Sequence, residues 1–277
     1  MLRIGQYQTL TIVREKPHGF YLECNEGQEV LFPRKFISED MKIGDKINVF
    51  IYNDSEDKFV ATIEKPSLTL GQYATLTVED VNRVGAFCDW GVTKQLFIPF
   101  RNQEQELLIG QSCVVHLYLD ELTDRLVGST RLKNFLEVEA DEELNVGQKV
   151  DLIIYEESDI GYKAVVDQYY GGLIYKSDVD TSLKIGDSLT GFIRYIRKDS
   201  RIDLSLTPLE RKPIEPTSMQ ILERLKAANG FLPFNDKSNP TVLQTEFGMS
   251  KKMFKKSIGS LYKQKLILIK PDGIHSM

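Results

Sequence analysis

The strongest constraint on this chain is that one pattern recurs three times along it. At a shift of 66 residues, Gly5-Gln6-Tyr7 lies under Gly71-Gln72-Tyr73 and Gly19 lies under Gly85. At the same shift Leu31-Phe32-Pro33 lies under Phe97-Ile98-Pro99, and Ile43-Gly44-Asp45 under Ile109-Gly110-Gln111. A further shift of 76 brings Gly147-Gln148, Gly161 and Ile185-Gly186-Asp187 into the same places. An internal repeat governs the fold before any local motif does. Each copy reads strand, glycine-marked strand, strand, an Ile-Gly-Asp/Gln turn, and two closing strands. The closing pairs fall at 47–52 with 58–63, 114–119 with 126–130, and 189–196 with 202–206.

Five short strands in about 65 residues, alternating with period two between turn residues, suit a five-stranded OB barrel. The boundaries fall at 1–66, 67–140 and 141–212. At the centre stands Val84-Gly85-Ala86-Phe87-Cys88-Asp89-Trp90-Gly91, followed after a turn by Gln95-Leu96-Phe97-Ile98-Pro99-Phe100-Arg101. A glycine inside a strand marks a bulge or a close backbone approach. This wording resembles the S1 RNA-binding domain, whose second and third strands read roughly FGAFVD and GLVHIS.

The resemblance implies a nucleic-acid face on each copy. In the first, His18, Tyr21 and Phe32 take the stacking positions and Lys58 stands where the family often has an Arg. Core packing is the other reading of Tyr21 and Phe32. In the second, Val84 and Ile98 replace two stacking positions. Phe87 and Arg125 remain, so this copy is expected to act mainly as a spacer, with Trp90 packed between copies. In the third, Gly172-Leu173-Ile174-Tyr175-Lys176-Ser177 matches GLVHIS with Tyr175 in the His place, while Ile160 and Lys163 take the FGAF positions. Arg194, Arg197, Lys198 and Arg201 cluster beside Ile202-Asp203-Leu204-Ser205-Leu206. A tyrosine beside four cations makes a single-strand groove; the alternative is a solvated hairpin paired with Asp199 and Asp203. On this reading Tyr175, Arg197 and Arg201 outweigh Phe87 in binding. Residues 134–144 read as an acidic connector or a short helix.

After Pro208 the texture changes. Lys212-Pro213-Ile214-Glu215-Pro216 reads as a stiff linker. Thr217-x-x-Gln220 reads as a capping box before the stripe Ile221, Leu222 and Leu225, which stops at Asn229-Gly230. Asn239-Pro240 opens a second helix that ends near Gly248, and Ser250 caps a third. On the third helix Phe254, Ile258 and Leu261 share one side with Ser257 near them. Lys251, Lys252, Lys255, Lys256 and Lys263 share the other with Gly259. A Pro271-Asp272-Gly273 turn closes a final hairpin. Three helices and a hairpin over 213–277 make a winged helix, whose third helix commonly meets nucleic acid, although many winged helices bind protein. The expected fold is therefore mainly β: three tandem five-stranded OB barrels, S1-like, followed by a small α+β winged-helix domain.

The net charge of −5 argues at first against a polyanionic partner. It is unevenly spread, at −2, −4 and −4 over the three copies and +5 over 213–277. Cys24, Cys88 and Cys113 lack metal spacing and read as reduced, buried residues of a cytoplasmic protein. The start of the chain reads as a strand without a signal peptide, and no apolar run reaches the roughly 18 residues of a membrane span. His18, His116 and His275 form no metal pair, and no HExxH, GxSxG, P-loop or Rossmann fingerprint occurs. Neither an enzyme, a metal, a cofactor nor a small-molecule substrate is expected.

Over its full length the chain resembles the bacterial conserved virulence factor B family. The resemblance rests on Gly85-Ala86-Phe87-Cys88-Asp89-Trp90-Gly91, Pro99-Phe100-Arg101 and Ser250-Lys251-Lys252-Met253-Phe254-Lys255-Lys256. It implies a cytoplasmic RNA binder that affects expression of virulence genes. The partner expected is single-stranded RNA (mRNA). The alternatives are a transcription regulator that binds DNA through the winged helix, and a protein-interaction scaffold on ribosome or polymerase.

Overall fold

A computed structural model describes residues 2–24, 27–54, 56, 58–208, 215–264 and 266–276. Lys212, Pro213 and Ile214 of the expected linker lie outside them. The chain forms two compact bodies, 1–208 and 209–277.

The first body holds three modules. The first comprises β1 (Tyr7–Lys16), β2 (Gly19–Glu23), β3 (Glu29–Pro33), β4 (Lys46–Asn53) and β5 (Phe59–Thr62). They close into a barrel in the order β1-β2-β3-β5-β4. The second comprises β6 (Tyr73–Asn82), β7 (Gly85–Asp89), β8 (Leu96–Pro99), β9 (Ser112–Asp120) and β10 (Arg125–Ser129). The third comprises β11 (Lys149–Glu157), β12 (Gly161–Val166), β13 (Tyr170–Tyr175), β14 (Ser188–Ile196) and β15 (Ile202–Ser205), again a closed barrel. The second module keeps the same strand order; no ladder joins β8 to β10, but the two strands lie side by side as their counterparts do in the barrels.

The repeated glycine has a steric cause. A Cβ on Gly19, Gly85 or Gly161 would sit 2.0, 2.3 or 2.1 Å from the carbonyl oxygen of Phe32, Ile98 or Ile174. Only glycine lets the third strand come so close. The contact also fixes the phase of that strand. Phe32, Ile98 and Ile174 are equivalent, and all three point inward. Each first strand also carries a register shift at the matching place, at Ile12/Arg14, Val78/Asp80 and Ile154/Glu156.

The modules share packing. Trp90 is buried edge-to-face on Phe50 of the first module, with centroids 5.8 Å apart, and its indole N–H donates to Lys94 O at 2.6 Å. One hydrophobic cluster thereby runs from Phe50 and Tyr52 through Val78 and Leu117. A smaller one, with Tyr73, Val114, Leu136 and Val165, joins the second module to the third. There Gln168 Oε1 accepts from Tyr73 N at 2.6 Å, and Thr75 Oγ1 donates to Gly186 O at 2.9 Å. His116 lies in this seam between Tyr73 and Phe135, with Nδ1 unpartnered, and burial pushes its imidazole down to about 4. The segment expected as a solvated connector or short helix forms no α-helix. Leu136 is buried, Glu137 pairs with Tyr170, and the Tyr170 hydroxyl donates to the Asp141 carboxylate. The segment is a strap on the third barrel. Cys24, Cys88 and Cys113 form no disulfide among the described residues, with Cys88 and Cys113 buried and Cys24 half-buried.

The second body comprises α1 (Pro216–Ala227), β16 (Phe231–Leu232), α2 (Pro240–Phe247), α3 (Lys251–Lys263), β17 (Ile267–Lys270) and β18 (Gly273–Ser276). Its sheet runs β16-β18-β17. Asn239 Oδ1 accepts from Thr241 N at 2.9 Å and Ser250 Oγ from Met253 N at 3.3 Å, so both caps form. The capping box does not. With Pro216 at the first helical position, α1 starts two residues early, Glu215 becomes the N-cap, and Gln220 Nε2 donates instead to Phe247 O at 3.1 Å. Phe254, Ser257, Ile258 and Leu261 are buried beside Ile221, Leu225 and Phe247, as the stripe required.

Candidate nucleic-acid interface

Period-two alternation decides which side chains of the second and third strands face outward. In the second module these are Phe87 on β7 and Phe97 on β8. Their rings stack at 5.1 Å with 28° between planes, and both are half-buried. Arg125, at the start of β10, is exposed beside them, and Val84 is 53 % exposed. The expectation that only one aromatic remains on this face is thus corrected. Assigning the stacking position to Ile98 chose the inward residue, and the outward one is Phe97. The signal that finds it is the phase set by Gly85 against Ile98. The pair borders a pocket of about 360 Å³ that reaches Trp90, Lys94 and Gln95 and, from the first module, Tyr52 and Asn53. Burial, with Glu64 and Asp54 adding, pushes the Tyr52 hydroxyl up to about 12, so it stays protonated.

The third module holds more cations, and most of those in its 194–201 cluster are paired. Arg197 makes a forked contact with Asp203, with Nη2 at 2.6 Å and Nε at 3.0 Å from Oδ1. It also donates to the Tyr175 hydroxyl at 2.7 Å. Hydrogen bonding to the Asp203 carboxylate, itself 8 % exposed, raises the Arg197 pKa above its ordinary value. Arg194 pairs with Asp178, Lys163 with Glu156, and Arg201 with Asp199 at 3.6 Å. Of these cations only Lys198 has no ion-pair partner among the described residues. Tyr175 is half-buried, one residue past the inward Ile174, with its hydroxyl occupied by Arg197. The expected groove is mostly a set of internal ion pairs.

In the first module Tyr21 is half-buried with the Arg14 guanidinium 4.5 Å from its centroid, and Arg14 in turn pairs with Glu29. Lys58 pairs with Glu56 at 2.6 Å, and His18 is exposed. Phe32 is fully buried against Phe36, 5.8 Å between centroids, so its assignment as a stacking residue is withdrawn: an inward side chain cannot meet a base.

On α3, Lys252, Lys255, Lys256 and Lys263 are exposed and Lys251 is half-buried. Lys256 pairs with Glu215 at 2.8 Å, and Lys255 reaches Asp236 only at 3.9 Å. Lys251, Lys252 and Lys263 have no ion-pair partner among the described residues. Gly259 lies on this face, and a Cβ there would meet nothing within 4 Å. Among the described residues no group of three or more His, Cys, Asp or Glu could hold a metal, and no helix is long and apolar enough to cross a membrane.

Comparison with known proteins agrees with this architecture. The S1 domain family matches residues 4–64 and 70–131, and a CvfB-like winged helix domain matches 219–275. The chain is 27 % identical over 274 residues to an uncharacterized protein, YitL, of Bacillus subtilis, covering 95 % of this chain and 90 % of that one. It is 25 % identical over 282 residues to conserved virulence factor B of Staphylococcus aureus, covering 98 % and 93 %. Among solved structures it is similar to a multidomain protein with nucleic acid binding domains from Streptococcus pneumoniae, at 23 % identity and a TM-score of 0.45, covering 99 % and 98 %.

Proposed function

The chain belongs to the conserved virulence factor B family, and on that premise we propose that it is a non-catalytic binder of single-stranded RNA that regulates gene expression after transcription, virulence genes included. The observation that carries the reading is the half-exposed Phe87–Phe97 pair beside Arg125 on the outer face of an S1 domain. Flat rings stack on any base, worth about 1–3 kcal/mol each, and single strands expose their bases where duplexes do not. Lys252 and Lys263 on α3, without carboxylate partners among the described residues, supply a second phosphate contact in the same chain.

Electrophoretic shifts with single- and double-stranded RNA of equal length, at several salt concentrations, test this. Single strands bind tighter, and affinity falls with a log–log slope of roughly −0.7 per phosphate contacted. Equal affinity for both forms, or no salt dependence, would refute it. A preference for duplex DNA, lost when Lys252 and Lys256 are neutralised, would instead establish the transcription-regulator reading.

A further inference from the structure

Both joints of the first body use one place in the repeat. Tyr7 pairs with Phe50 across β1 and β4, Tyr73 with His116 across β6 and β9, and Lys149 with Phe192 across β11 and β14. The place therefore holds Phe, His and Phe in turn. Phe50 is fully buried, edge-to-face on Tyr7 at 5.4 Å and on Trp90 at 5.8 Å, and so joins the first module to the second. His116 packs likewise toward the third, with Tyr73 at 4.4 Å and Phe135 at 4.3 Å. We propose that His116 makes the joint between the second and third modules a proton-sensitive latch, which protonation of the imidazole releases while both modules stay folded. The proposal stands apart from the single-strand reading.

An apolar ring would fill this space without orphaning a nitrogen. His116 is 7 % exposed, and its Nδ1 is the only buried side-chain nitrogen or oxygen without a hydrogen-bond partner among the described residues. A protonated imidazole carries two N–H donors, and Nδ1 has no acceptor. The surrounding elements bring no anion to it. β6 brings Tyr73, whose hydroxyl burial raises above the ordinary tyrosine value, so it stays neutral. β9 brings Tyr118, whose hydroxyl accepts from Asn102 Nδ2, and the segment after β10 brings Phe135. The charged groups of the joint are engaged elsewhere. Lys133 bridges Glu104 at 3.2 Å and Glu156 at 3.0 Å, and Asp167 accepts from Asp151 N at 2.7 Å. The Gln72 backbone favours the charged ring, but burial outweighs it. An imidazolium here is a buried charge without a partner, and parting the modules hydrates it. Closing the joint takes the ring from 6.5 down to about 4, so closure releases a proton. The joint is intact above pH 6.5. It weakens roughly tenfold per pH unit as pH falls towards 4, about 300-fold across the window.

The Tyr73 amide reports on the joint, because it donates across it to Gln168 Oε1. Hydrogen exchange of the full chain, read by mass spectrometry from pH 7 to 4.5 and corrected for intrinsic rates, tests the latch there. Protection of the Tyr73 peptide falls at least tenfold between pH 6 and 4.5. Peptides from the module cores, around Val115 and Ile154, and from the Phe50 joint keep theirs within threefold. His116→Phe, which installs the residue of the other two copies, holds the Tyr73 peptide protected throughout. The same pH dependence in the variant, a flat wild type, or cores that open together with the joint would overturn the latch. Should His116→Phe not fold, the wild-type ring decides by nuclear magnetic resonance. Its titration must coincide with the loss of protection at Tyr73, and a ring that titrates inside an intact joint would overturn the latch too.

Discussion

The second and third modules share strand order, register shift and buried glycine, yet present opposite surfaces. The third has the chain's richest run of cations, and three of the four, Arg194, Arg197 and Arg201, end on a carboxylate. The second has few cations and a net acidic count, but presents two stacked, half-exposed rings on its outer face. A polyanion responds to charges left unpaired and to flat apolar surface left uncovered. Desolvating an existing ion pair brings it little. The lesson is that counting Lys and Arg along a strand measures how many partners the fold must satisfy. It does not measure how many it offers.

That contrast can be broken in graded ways. The largest change in binding is expected from replacing Phe87 and Phe97 together by Ala. At about 1–3 kcal/mol per stacked base, this lowers affinity for single-stranded RNA at least roughly 30-fold, whereas Tyr175→Ala changes it less than threefold. Filter binding of both variants decides the order. The joint between the second and third modules gives the next effect. Folding buries His116 neutral, with its pKa at about 4 against an ordinary 6.5. Its contribution is whole above pH 6.5 and is lost as pH falls towards 4, on the order of 3 kcal/mol. Urea melts across that window should lose stability in wild type and stay flatter in His116→Phe.

Arg197→Ala is expected to cost about 1.5–3 kcal/mol of stability, by removing hydrogen bonds to the sequestered Asp203 carboxylate, while changing RNA affinity less than threefold. Paired melts and binding isotherms check it. Arg125→Ala should reduce the salt slope by roughly 0.7, one phosphate contact, and Arg194→Ala should leave it unchanged. The smallest effect is expected at Gly259. With open space around its Cβ position, Gly259→Ala should stabilise the second body by about 0.5–1 kcal/mol, read by thermal melting.

Much of this fold was legible in the sequence because its markers are steric. Gly19, Gly85 and Gly161 permit a carbonyl contact that no other residue allows, so their spacing displayed the repeat directly. Trp90 between modules and the apolar face of α3 followed from bulk and helical periodicity. The phase of the third strand was harder. A period of two gives two faces but not which is inward, and aligning Tyr175 with Phe32 and Ile98 shifted it by one residue. That shift hid Phe97 and promoted the buried Phe32. The ion pairs were illegible for another reason. Arg197 meets Asp203 across adjacent strands whose register slips between Ile193 and Tyr195, and no spacing rule reports such a slip.

Ultraviolet crosslinking of the intact protein to a single-stranded RNA, followed by peptide mapping, tests most directly where a strand lies. Crosslinks should concentrate on the peptides that carry Phe87 and Phe97. A map centred on Tyr175 and residues 194–201, with the second module unmarked, would contradict the account.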